Sequence, residues 1–93
     1  MKKIYEDKNF IILKKYNREA YILYNKKKPF KTGHTHINNY NTVRWLIKLY
    51  TKRIVPYNLK SKYLLDSLIR ISNDTKYTEQ LKTLKQKHIG FQF

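Results

Sequence analysis

An α+β domain is what this sequence predicts: an N-terminal three-stranded antiparallel sheet built on a β-hairpin, followed by two or three helices packed on one face. Three observations carry that expectation. β-Branched and aromatic residues crowd from Phe10 to Tyr24 around a short polar break at Asn17-Arg18, the composition of paired strands. Apolar residues recur at helical spacing from Val43 onwards, as they do in amphipathic helices. The 93 residues, with 41% apolar side chains and no cysteine, suffice for one domain whose core closes without disulfides. Within a single domain spanning 1–93, the expected layout is sheet over about 3–25, loop over about 26–40 and helices over about 42–88.

A first strand is expected at Lys3 to Glu6, set off from the hairpin by Asp7-Lys8-Asn9. With Asn17-Arg18 as a two-residue turn, Leu13 faces Ile22, Ile11 faces Tyr24 and Lys15 faces Ala20, and this side of the sheet is the expected core. The opposite side then carries Phe10, Ile12, Lys14, Tyr16, Glu19, Tyr21 and Leu23. Asn25 to Asn41, broken by Pro29 and Gly33, reads as a partly ordered loop. Asn41 is the expected N-cap of a helix whose stripe is Val43, Leu46, Ile47, Tyr50 and Ile54, and Pro56 ends it. A second helix fits Ser61 to Ile71, with Leu64, Leu65, Leu68 and Ile71 inward and Asp66 at pairing distance from Arg70. After the break at Ser72-Asn73-Asp74, a third helix carries Tyr77, Leu81, Leu84 and His88, with Gly90 just past its end and Phe91 packing back.

Charge is the dominant compositional signal. The 21 Lys and Arg against six Asp and Glu give a formal net charge of +15, a surface that attracts polyanions. AT-rich coding is a competing origin for the lysines, since 17 Lys outnumber four Arg. That bias would also raise Asp and Glu, which are scarce, so nucleic acid (RNA or DNA) or a nucleoprotein is the expected partner. The apolar run Phe10 to Leu13 stops at Lys14 and Lys15, so neither a secretory leader nor a membrane partner is expected. A cytoplasmic monomer or small homo-oligomer is the expected form.

Three basic clusters are candidate nucleic-acid contacts. Lys26, Lys27, Lys28 and Lys31 form the densest, flanked by Tyr24 and Phe30, whose rings are of the kind that stack on unpaired bases. Lys14, Tyr16, Arg18 and Tyr21 make a cation-aromatic patch at the hairpin end. Arg44, Lys48 and Lys52 recur every four residues along one helix face, and Arg53 follows them. Each cluster has an ordinary alternative as solvated surface. Trp45 lies between the core stripe and that cationic row, the position of a boundary core residue rather than of an interface anchor.

The only spacing with a catalytic look is His34-Thr35-His36, two imidazoles on one face of an extended segment. No third ligand stands at a defined spacing, so no metal is expected. The main alternative is that these histidines hydrogen-bond the loop. Gly33 and Gly90 are the only glycines, which excludes a phosphate-cradling P-loop or dinucleotide-binding turn, and without cysteine there is no thiol nucleophile. No cofactor or enzymatic activity is expected.

The blocks Gly33-His34-Thr35-His36-Ile37, Ile54-Val55-Pro56 and Tyr63-Leu64-Leu65-Asp66-Ser67-Leu68-Ile69-Arg70-Ile71-Ser72 are similar to those of small uncharacterised basic proteins carried by phages and conjugative or other mobile elements of low-GC Gram-positive bacteria. The resemblance covers about Tyr21 to Lys82 and implies no catalytic residues. It implies a setting in which short proteins regulate element genes or block host defence by binding. The functional expectations are therefore, first, a non-enzymatic nucleic-acid- or nucleoprotein-binding protein. The second is an inhibitor of a host defence nuclease, anti-CRISPR in type, engaging an RNA-guided nuclease through a protein interface. The third is a small ribonuclease toxin using His34 and His36.

Overall fold

In the computed structural model, which describes residues 1–59 and 61–90 and only the backbone course of 88–90, the hairpin forms in the expected register. Strands β1 (Lys2–Glu6), β2 (Phe10–Lys14) and β3 (Tyr21–Asn25) pair antiparallel, with Leu13 opposite Ile22 and Ile11 opposite Tyr24. Asn17 turns the chain at φ 62°, a left-handed conformation that asparagine tolerates better than most residues.

The buried face is the opposite of the expected one. Phe10, Ile12 and Leu23 are fully buried against the helices, whereas Ile11, Leu13 and Tyr24 are half-buried on the other side. The hairpin is apolar on both faces, so alternation alone cannot choose between them. The helices that follow make the choice.

A fourth strand corrects the three-stranded expectation. Within the segment read as loop, α1 (Phe30–Gly33) forms one helical turn and β4 (His34–Ile37) then pairs antiparallel with β3, giving the sheet order β1-β2-β3-β4. Thr35 and Ile37 point to the core, and Thr35 Oγ1 donates to Ser67 Oγ at 2.7 Å. Four residues between Gly33 and two asparagines are too short a run to show a period by themselves. Pairing with β3 is what makes them a strand. Gly33 is required by close approach, because a Cβ there would lie 2.6 Å from Lys28 Cβ.

Helix α2 (Tyr40–Thr51) starts at Asn39, not Asn41; Asn39 Oδ1 accepts from the Thr42 amide at 3.0 Å. It also ends before Pro56 acts. Arg53 at φ 53° reverses the chain, its amide donating to Tyr50 O and the Ile54 amide to Leu49 O, the two bonds of a Schellman cap. Ile54, expected on the stripe, is thereby exposed. Helix α3 (Lys62–Ile71) begins after Ser61 as expected, and Ser61 Oγ accepts from the Leu64 amide. Asp66 pairs with Lys85 instead of Arg70. Helix α4 (Thr75–Gly90) is capped by Asp74, which accepts from the Tyr77 amide at 2.9 Å, and buries Tyr77, Leu81 and Leu84. Gly90 is within the helix rather than past it. The His88 side chain and Phe91 lie outside the described residues.

Candidate nucleic-acid interface

Strand alternation places Ile11, Leu13, Ile22, Tyr24, His34 and His36 on the sheet face turned away from the main core. Ile22 is only 5% exposed yet belongs to no core cluster; its neighbours on this face cover it. Beside it four rings touch in sequence. Tyr24 meets Phe30 edge-on at 5.1 Å, Phe30 lies flat on His34 at 4.4 Å with planes 2° apart, and His34 meets His36 edge-on at 5.1 Å. The turn of α1 delivers Phe30 onto this ladder, and the ring remains 45% exposed.

Both imidazoles have environments that bear on their chemistry. His34 Nδ1 lies 2.6 Å from the Phe30 carbonyl; a carbonyl only accepts, so Nδ1 is the donor of that bond. His36 has its pKa lowered, first by burial and then by the positive potential of His34, Lys15 and Arg70. At neutral pH its ring is therefore predominantly uncharged.

Cations border the ladder. Lys15, Arg18, His36 and Tyr63 line a cavity of about 430 Å³ at the hairpin end of β4, and Lys31 is exposed on α1. Arg70 donates to the carbonyls of His34 at 2.8 Å and Lys31 at 2.9 Å. Tyr63, 57% exposed, donates its hydroxyl to the His36 carbonyl. These two side chains cover the outer edge of β4, which would otherwise present unpaired carbonyls. No ion pair among the described residues engages Lys15, Arg18, Lys31 or Arg70, so their charges stand un-neutralised.

The three basic clusters fare differently. The Lys26-Lys27-Lys28 run is split up. Lys26 pairs with Glu6 at 2.8 Å, and this bond, with Lys3, draws the Glu6 pKa down to about 2. Lys28 donates to the carbonyls of Arg70 at 2.7 Å and Ser72 at 3.1 Å, closing the C-terminus of α3, where a cation is favoured. Lys27 stays exposed. At the hairpin end Tyr16 and Arg18 are exposed, but Tyr21 is 5% exposed, tied to Glu19 at 2.6 Å and packed on Tyr40. Lys14 is half-buried on the core side beside Tyr21.

Along α2, Arg44, Lys48 and Lys52 share one exposed face with Trp45, which is 37% exposed. Arg53 leaves that row: it pairs with Asp74 at 2.9 Å and lies 4.0 Å over the Tyr50 ring. The α2 row and the sheet ladder are separate surfaces, lined by different residues.

Sequence reasoning singled out Tyr24 with Phe30, and His34 with His36, as two separate pairs but did not join them. It missed Lys15, Tyr63 and Arg70. The available signal was the spacing of two between His34 and His36, which share a face in any extended segment, with Phe30 four residues before His34. Among the described residues no group of three His, Cys, Asp or Glu comes together to hold a metal, and no helix is long and apolar enough to cross a membrane. No family model, curated protein or solved structure matches this chain.

Proposed function

We propose that this protein binds single-stranded nucleic acid across the open face of its sheet and does not cut it. The observation that carries this reading is the contiguous Tyr24-Phe30-His34-His36 ladder bordered by cations without carboxylate partners. An aromatic ring left exposed on a sheet, as Phe30 is, offers stacking to bases that are not already stacked in a duplex. Lys15 and Arg18 at the hairpin end and exposed Lys31 on α1 are cations available to the phosphates of a strand crossing the rings. A duplex hides its base faces and gains only the phosphate contacts.

The test is fluorescence anisotropy with labelled single-stranded RNA, single-stranded DNA and the matching duplexes at low, physiological and high salt. The reading expects single strands to be held more tightly than duplexes at physiological salt, and labelled RNA to be recovered intact. Equal or tighter duplex binding would remove the stacking argument. RNA cleavage that is lost in His34→Ala with His36→Ala would replace it with phosphodiester chemistry by the imidazole pair.

A further inference from the structure

A groove of about 590 Å³ runs between α2 and the end of β1 and shares no lining residue with the ladder or with the cavity beside it. Its floor is Tyr5, Trp45 and the flank of Ile47; its rim is Arg44, Lys48 and Lys52. The one carboxylate that borders it, Asp7, is turned to the chain. Asp7 Oδ1 accepts from the amides of Asn9 at 2.8 Å and Phe10 at 2.7 Å, and Oδ2 accepts from the Tyr5 hydroxyl at 2.7 Å. Arg44 is held in place by Tyr40, 3.2 Å away, and lies 4.3 Å over the Tyr5 ring. The groove thus presents an apolar concavity whose charges, apart from the chain-bound Asp7, are all cationic.

We infer that this groove docks an acidic protein segment in which Asp or Glu residues alternate with large hydrophobic side chains. An exposed indole in a concave apolar setting with a preset arginine is the chemistry of an interface anchor. The rim selects carboxylates. Nucleic acid laid along the row keeps its phosphates on the rim and its bases turned outwards, leaving the apolar floor unused. A second copy of this chain is unsuited as occupant: it has only six Asp and Glu side chains, and Glu6, Asp66, Asp74 and Glu79 already sit in ion pairs.

Trp45 is the only tryptophan, so its emission reports on this groove alone. The probe is a synthetic peptide alternating Glu with Leu and Phe, titrated against the intact protein beside a control peptide of Glu and Gly and a single-stranded oligonucleotide. The expected result is a saturable blue shift of Trp45 with the apolar-acidic peptide only. Lys48→Glu combined with Lys52→Glu, both at exposed positions, weakens it by about tenfold or more. An unshifted emission, equal binding of the Glu-Gly peptide, or unchanged affinity in the charge-reversed variant overturns the proposal. So does an oligonucleotide that produces the same shift and competes with the peptide. Phe30→Ala separates this site from the sheet face, because it leaves the peptide titration unchanged whatever it does to nucleic-acid binding.

Discussion

A phenyl ring lying flat on an imidazole at 4.4 Å while still 45% exposed adds little to the core, so removing it tests binding with small effect on the fold. Phe30→Ala is expected to weaken single-strand affinity by about 1–3 kcal/mol while the far-ultraviolet circular dichroism and the urea midpoint stay near those of the parent. His36 carries a pH signature. Its folded pKa lies below the ordinary 6.5, so the unfolded chain binds the proton more readily. Stability is then complete above about 6.5 and declines as pH falls from there to the lower folded pKa. Urea titrations across that window in parent and His36→Asn check this: the variant loses that part of the pH dependence. Arg53 separates conformation from contact. Arg53→Gly and Arg53→Ala both lose the Asp74 ion pair and the Tyr50 stacking, but only glycine is at ease at φ 53°. The glycine variant should therefore be the more stable by about 1 kcal/mol in thermal or urea unfolding.

At the scale of elements, the end of α3 joins the fold to the candidate surface. Asn25 is fully buried; its Nδ2 donates to the Ile71 carbonyl at 2.7 Å and its Oδ1 accepts from the Lys27 amide at 2.9 Å. Lys28 closes the neighbouring carbonyls of α3 from the same turn. Lysines that read as a phosphate-binding run are in this way partly the fastening of a helix to a hairpin. Asn25→Ala strands these buried groups and is expected to cost about 1–3 kcal/mol, read as a lower urea midpoint with an unchanged denaturant slope. The same helix sends Tyr63 and Arg70 across to the β4 carbonyls. Strand β4, and with it His34 and His36, is held from both sides, by β3 and by α3.

Over the whole molecule the +15 charge acts at long range and fades with salt, whereas stacking is short-ranged and persists. A strand neutralised by Lys15, Arg18 and Lys31, with Arg70 adding potential, releases about three or four counterions. The logarithm of affinity should then fall with the logarithm of salt at a slope of about −2 to −3. Anisotropy over a salt series measures it; a much steeper slope would mean that the general charge of the surface, and not this face, does the binding. Two surfaces of different chemistry on one small domain suit a protein that meets nucleic acid and protein together. On the two proposals made above, the aromatic face takes bases and the cationic groove takes acidic side chains.

The sequence by itself determined the α+β class, the hairpin register about Asn17, the start of α3 at Ser61 and most of the inward residues of the long helices, Ile54 being the exception among those described. Each depends on near neighbours: a turn, a cap, or a period of two or of about 3.6 residues. What only the tertiary structure decided was which face of a doubly apolar hairpin meets the helices, that His34–Ile37 is a strand, and which lysines are spent on carbonyls and carboxylates. Those outcomes depend on partners distant in the chain, such as Ser67 for Thr35 and the end of α3 for Asn25 and Lys28. The aromatic ladder depends on them too, because a strand of four residues acquires its direction, and its two histidines their place beside Tyr24 and Phe30, only from the strand and helix that flank it.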